Sequence, residues 1–265
     1  PASYLPYWFG VKLPEVYLIG WAAGVLAWVR RPRRLKLSTE LLLTAWLFPL
    51  FMASITVAAM YDGVRHYLFT VPPMAILAAA GLHLWWDSCG RRWIRWAVGV
   101  GFVGFLGWTV VDMVSLHPYQ TVYFNRTAGG GLAGADDRYE TDYWGASTKE
   151  AAEWLLANGL PNHNGPVRVA HTSQPFLHEH VLHATEAGRQ QFVTVALDER
   201  PDVVFTTTRA RIDRTVAGTR LHVVSRQGVP LCTVVDVRRR DPRPAGSPHG
   251  APLGSGTGPV LGVQP

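Results

Sequence analysis

Cysteine is almost absent: Cys89 and Cys232 are the only two in 265 residues. That excludes a small secreted module held together by a disulfide framework. Charge is also scarce, at 17% of residues against the ~25% usual in a soluble domain. The shortage is local, because residues 1–116 hold 15 of the charged side chains and residues 117–265 hold the other 29. A uniform soluble domain and a disordered chain are both excluded. Lysine is rare as well, with three against 22 arginines, a bias that points to a GC-rich bacterial genome. There is no initiating methionine, no signal peptide and no internal repeat. Pro1 opens directly into an aromatic stretch, which predicts a fragment lacking its N-terminal part.

What the first part has instead is apolar length and tryptophan, nine of the eleven in the chain. Residues 41–60 and 67–86 are each 20 residues without a formal charge. At 1.5 Å per residue each reaches ~30 Å, the thickness of a bilayer's hydrocarbon core. Four membrane spans are predicted, at 13–29, 41–61, 65–86 and 96–116. The first is short and begins at Pro14-Glu15. The third carries Pro72-Pro73, which remove two backbone donors and predict a kink.

The net charge of +6 does not describe a nucleic-acid-binding face. Eight of the ten basic residues before position 117 lie in two clusters, Arg30 to Lys36 and Arg91 to Arg95, each between apolar runs. Such clusters mark cytoplasmic loops. The last 149 residues balance 15 basic with 14 acidic side chains. With both clusters inside, residues 1–12, the link 61–66 and everything after His117 face outward. Cys89 and Cys232 then lie on opposite sides and cannot pair.

Beyond the spans, 117–146 reads as an external linker rich in aromatic and acidic residues. Residues 147–240 read as a small external α/β domain, and 241–265, dominated by Pro and Gly, as a disordered tail. Ser147-Thr148-Lys149-Glu150 fits a capping box opening a helix that Gly159-Leu160-Pro161 ends. Strands are predicted at 167–170, 192–196, 202–207, 221–225 and 231–238, a helix at 175–184, and a helical turn at 210–216. The fold class is a polytopic α-helical membrane protein with about four transmembrane helices, followed by that domain and tail.

Several motifs invite chemistry. Gly129 to Gly134 satisfies G-x-G-x-x-G, yet it neither follows a predicted strand nor faces the cytoplasm, so a flexible loop is the favoured reading. His178, His180 and His183 lack the spacing of a zinc helix, and surface histidines are expected there. No cofactor, metal or catalytic residue is assigned. Arg65-His66 sits at the outer mouth of the third span, where the guanidinium either snorkels to headgroups or grips a lipid phosphate with its planar fork. Lys12 is a second basic group on that face. Between His117 and Gly145, residues such as Tyr123, Asn125 and Asp142 either suit a polyol ligand or form a linker packed over the spans. The candidate substrate-binding set is Arg65, His66, Lys12, Tyr123, Asn125 and Asp142.

Four stretches carry a family resemblance. They are Tyr4-Leu5-Pro6 with Lys12-Leu13-Pro14; Tyr61 to Phe69 with Pro72-Pro73; His117 to Asn125; and Tyr139 to Gly145 running into Lys149-Glu150 and Trp154-Leu155. Over residues 1 to about 158 the chain resembles the C-terminal half of the protein-mannosyltransferase-like (family 39) members of the C-type glycosyltransferase superfamily. The resemblance implies an integral-membrane enzyme, sited in a bacterial plasma membrane. It would transfer a sugar from a polyprenyl-phosphate donor to an acceptor on the outer face. In that family an acid in the first external loop is the base and basic residues at the membrane surface steady the leaving phosphate, a role that falls here to Arg65 and then to Lys12 and His66. The acidic loop is not in this sequence, so the fragment alone is expected to be inactive. The implied partners are the lipid-linked donor, membrane lipids and an acceptor of unknown kind, with no nucleic acid. The competing expectation is a non-enzymatic anchor whose external domain binds a partner or envelope glycan.

Overall fold

A computed structural model describes residues 3–30, 37–56, 63–172 and 176–238. The basic run 31–36, part of the 61–66 link and the predicted tail lie outside the described residues. Three helical segments are long and apolar enough to cross a membrane: Ser38–Ile55, Arg65–Ser88 and Arg92–Ser115. Only 11%, 22% and 6% of their apolar windows are buried within the protein. Helices that bare, with Trp93, Val100, Trp108 and Val114 more than half exposed, have the surface that suits an apolar solvent.

In chain order the helical part contains α1 (Tyr4–Lys12), α2 (Glu15–Arg30), α3 (Leu37–Ile55), α4 (Val71–Ser88) and α5 (Arg92–Ser115). Helix α1 was not expected from the sequence. A tight 3₁₀ segment, Arg65–Thr70, leads straight into α4. Pro72 and Pro73 therefore lie in the first turn of α4, where the missing N–H groups have no partner to lose. The predicted kink inside that helix is corrected to a helix start.

Helices α2 and α4 cross at backbone contact. A Cβ placed on Gly81 would lie 2.4 Å from the Gly24 Cα, and one on Gly20 would lie 2.9 Å from the Ala78 carbonyl oxygen. The spacing Gly20-x-x-x-Gly24 is the small-residue pattern that lets helices approach this closely in lipid. Around the crossing, Leu5, Phe9 and Leu13 of the N-terminal segment pack with Trp46, Ala53 and Met74 of α3 and α4. Helix α5 stands at the periphery, and within it the buried residue is Asp112.

The α/β part adds α6 (Gly131–Asp136), α7 (Thr148–Asn158), α8 (Phe176–Leu182) and α9 (Glu186–Gln191). Its five strands are β1 (Val167–His171), β2 (Phe192–Thr194), β3 (Val203–Thr207), β4 (Thr219–Arg226) and β5 (Val229–Asp236). They form one mixed sheet in the order β2-β1-β3-β5-β4, with β1 parallel to β2 and β3, and β5 antiparallel to β3 and β4. All five residues of β3 are buried, as the central strand of a covered sheet requires. The helical turn expected at 210–216 is a 3₁₀ segment at Arg209–Arg214, and α9 was not foreseen.

Segment 117–146 is not a loose linker. Leu116, Tyr119, Val122, Tyr123 and Leu132 are buried in the same core as Leu155, Val169, Phe205 and Leu231. The β4–β5 turn closes the joint to α5: the Arg226 guanidinium donates to Glu150 at 2.7 Å and to the His117 carbonyl at 2.9 Å. Beside it, the Gln227 amide donates to Ser115 Oγ at 2.7 Å and to Asp112 at 3.2 Å.

The capping box does not form. The Ser147 hydroxyl donates to the Asp142 carboxylate, and Glu150 accepts from the Tyr119 hydroxyl and Arg226. Asp142 instead ties the turn that precedes the helix, accepting from the backbone N–H groups of Ala146 and Ser147 at 3.0 and 2.9 Å. The Ser147 hydroxyl is drawn to the carboxylate because a hydrogen bond to a charged acceptor is stronger than one to a neutral group.

Candidate functional site

The stretches singled out in the sequence lie as much as 140 residues apart, yet side chains from all of them meet at one end of the apolar helices. The Tyr4 hydroxyl accepts from the Gly63 N–H at 3.0 Å, and the Trp8 ring lies against Gly63. Trp8 also faces Tyr139, with ring centroids 5.3 Å apart. Tyr139 stacks on Phe124 at 5.1 Å and 12°. One cation sits on this aromatic assembly, and a second, two residues beyond Gly63, sits on the ring of Trp144. The Lys12 ammonium lies 3.6 Å above the centroid of Phe124, and the Arg65 guanidinium lies 4.4 Å above the ring of Trp144. Arg65 also hydrogen-bonds His66 at 3.1 Å. Cations over aromatic faces at these distances are attracted by the ring quadrupole.

Lys12 is the more unusual of the two. Its ammonium donates to the Thr121 carbonyl at 3.2 Å, and among the described residues no carboxylate is paired with it. Burial pushes its pKa down to about 7. A half-buried cation without a counter-charge is stabilised by any anion that reaches it. Arg65 is half-buried and His66 is exposed.

The other three candidates serve the fold. Asn125 is fully buried. Its side-chain N–H groups donate to the carbonyls of Gly10 at 2.5 Å and Leu13 at 2.8 Å, and its Oδ1 accepts from Ala128 and Gly129. Its backbone N–H donates to Val11 at 2.9 Å. One residue thereby satisfies carbonyls at the end of α1 that would otherwise be orphaned. Asp142 is taken up by the turn before α7, bonding Ala146 and Ser147, and is 2% exposed. Tyr123 is buried, and its phenol is pushed up to about 12 by burial and then by Glu15 and Asp112. None of the three is open to a sugar. Trp144, on whose ring Arg65 sits, lies in the Tyr139 to Gly145 stretch but is not among the six candidates.

Gly129 to Gly134 proves ordered rather than flexible. Gly129 is pressed against the carbonyls of Asn125 and Val11, where a Cβ would sit at 2.7 and 2.9 Å. Gly131 opens α6 with no strand before it. This is a close-packing glycine run, not a nucleotide loop.

His178 corrects the expectation of surface histidines on that helix. It is fully buried, its ring lies 5.3 Å from that of His171 at 8°, and Phe205 packs at 5.2 Å. Among the described residues no three His, Cys, Asp or Glu side chains gather to hold a metal. Burial, and then His171 and His183, push the His178 imidazole down to about 3, and burial pushes His171 down to about 4. Both rings are neutral when folded, while the unfolded chain takes up their protons near pH 6.5. Stability is therefore full above about pH 6.5 and falls as the pH drops toward 4 and then 3. Thermal unfolding followed from pH 7 to pH 4 should show that loss, and His178→Phe should flatten it. An equally steep profile in the variant would assign the acid loss elsewhere.

No protein-family model matches the chain, and no curated protein and no solved structure is significantly similar to it.

Proposed function

We propose that this chain is the C-terminal half of an integral-membrane glycosyltransferase that moves a sugar from a polyprenyl-phosphate donor to an acceptor on the outer face of the membrane. The observation that carries the reading is the meeting of the family-like stretches on one cationic and aromatic face beside the apolar helices. That face has the chemistry of a lipid phosphate site. The Arg65 fork offers paired N–H donors to phosphate oxygens, Lys12 adds a desolvated amine whose charged form an arriving phosphate would favour, and the surrounding rings suit a sugar's apolar faces.

On this reading α2, α3, α4 and α5 are four spans, with the basic clusters inside and the α/β domain outside. Helix α2 is the shortest of the four. Its 16 residues reach ~24 Å, so the bilayer thins around it. As the sugar leaves the carrier, charge grows on the bridging phosphate oxygen. Arg65 and Lys12 act there, in a partly dry site where electrostatic stabilisation is largest. The base that takes the acceptor proton belongs to the first external loop of such enzymes.

The test uses the full-length protein in membranes with a radiolabelled polyprenyl-phosphate sugar. Arg65→Ala should lower transfer by about 10²- to 10³-fold, the usual cost of removing one charge-stabilising donor. Arg65→Lys should recover part of it, because it restores the charge and not the fork. Membrane insertion should be unchanged in both. Transfer that survives Arg65→Ala intact would remove the phosphate assignment and leave the anchored binding domain as the better account.

A further inference from the structure

A separate cleft of about 160 Å³ opens at the outer end of α5, on the side facing α2. Its polar wall is built from Glu15, Asp112 and Arg126, and its apolar wall from Phe105 and Trp108. Arg126 forms a two-pronged bond to Asp112, at 2.7 and 3.1 Å, and its guanidinium lies 4.7 Å above the Trp108 ring. The Glu15 Oε1 accepts from the backbone N–H groups of Arg126 and Thr127 at 2.8 and 3.1 Å.

The charges in this wall do not balance. Glu15 and Asp112 are 8% and 5% exposed, and one guanidinium answers both. Nearly buried carboxylates in an apolar setting need a cation or further donors. Glu15 Oε2 receives no hydrogen bond from the described residues, and neither does Arg126 Nη1 donate one to them. The side chain of Arg126 is 49% exposed. An open acceptor and an open cationic donor thus lie close together, since the Glu15 carboxylate already touches the backbone of Arg126. Below them along α5, Phe105 and Trp108 are 41% and 54% exposed.

We propose that this cleft binds a zwitterionic amphiphile of the phosphatidylethanolamine class. The primary ammonium donates to Glu15, a phosphate oxygen accepts from Arg126, and an acyl chain runs down the Phe105 and Trp108 wall. The wall selects against other lipids by its chemistry. A choline headgroup carries the positive charge without N–H donors, and a glycerol headgroup lacks the cation. This inference rests on the membrane reading of α5 and is independent of sugar transfer.

The test is native mass spectrometry of the full chain released from micelles containing equal amounts of phosphatidylethanolamine, phosphatidylcholine and phosphatidylglycerol. Ethanolamine lipid should be retained about tenfold over either competitor, a ratio equivalent to ~1.4 kcal/mol. Stepwise N-methylation of the headgroup should erode that preference on the unaltered chain, so the test does not depend on a variant folding. Glu15→Gln, which keeps the acceptor for Arg126 and Thr127, should bring ethanolamine lipid down to the choline level. Equimolar water-soluble phosphoethanolamine should fail to displace the lipid; displacement would overturn the assignment to a lipid. Equal retention of the three lipids, or an unchanged preference in Glu15→Gln, would overturn the site. A chain that stays out of the membrane fraction altogether would instead defeat the membrane reading on which the inference rests.

Discussion

Gly81→Ala should be among the most damaging single-methyl additions the helical part can suffer, while Gly101→Ala should cost nothing. The two glycines look alike in sequence, each in a long apolar helix. At Gly81 a new Cβ meets the Gly24 Cα and nitrogen at 2.4 Å and the Gly20 oxygen at 2.6 Å. All three are backbone atoms, so no rotamer change relieves the overlap and the helices must part. Separation loosens the neighbouring contacts of Tyr17, Trp21, Leu77 and Met74, and overpacking of this kind costs about 3 kcal/mol or more. At Gly101 nothing lies within 4 Å, and replacing a mid-helix glycine by alanine gains roughly 0.5–1 kcal/mol. Thermal unfolding in one detergent should therefore place Gly81→Ala about 6–12 °C below the parent and Gly101→Ala at or above it. Helix α4 begins directly after the turn that carries Arg65, so parting α2 from α4 also withdraws Arg65 from Trp144. Equal melting of both variants would show that the crossing is slack and that close packing does not hold α2.

The contrast shows which features were readable from the sequence. Charge-free runs of helical length are a one-dimensional signal, and α3 and α4 lie where those runs do, while α5 covers most of the apolar run 96–116 that Asp112 interrupts. The sheet was readable too, because β3 and β5 are short β-branched runs bounded by turn residues. Helix α1 was missed because Tyr4–Lys12 contains Pro6 and Gly10 and has no polar face. It is held by distant partners rather than by its own periodicity. The candidate residues divide on the same ground. Arg65 and Lys12 stand out in the sequence because basic groups beside apolar runs are rare. Asp142 and Asn125 were misjudged because the sequence shows an acid and an amide in a polar segment but not the backbone groups that claim them. The Gly20-x-x-x-Gly24 spacing was present to be noticed and would have placed α2 against a neighbour.

Asn125 provides the second large effect, and its sign with pH separates two accounts of the residue. If Asn125 met a sugar in solvent, its replacement would lower affinity and leave the fold alone. Held as it is between the end of α1 and the Gly129 loop, it should instead govern stability. Asn125→Ala leaves two carbonyls and two N–H groups buried without their partner. At roughly 1–3 kcal/mol for each such group, with some relaxation, the loss should reach about 4 kcal/mol or more. The melting temperature should then fall by about 10 °C or more. Asn125→Asp keeps the acceptor for Ala128 and Gly129 but turns a second oxygen toward the carbonyls of Gly10 and Leu13. Those carbonyls disfavour the ionised form, so the folded pKa of the introduced carboxyl rises above its unfolded value of ~3.9. The folded variant then binds a proton that the unfolded chain releases. Measured against the parent at the same pH, the variant should be weakest near pH 7 and recover as the pH falls, when the protonated oxygen donates to one carbonyl. A pH-independent deficit would mean that the carboxyl had turned to water and the amide was never essential to the end of α1. The same bond fixes Lys12, the last residue of that helix, so its ammonium should leave the face of Phe124 in whichever variant lets α1 go.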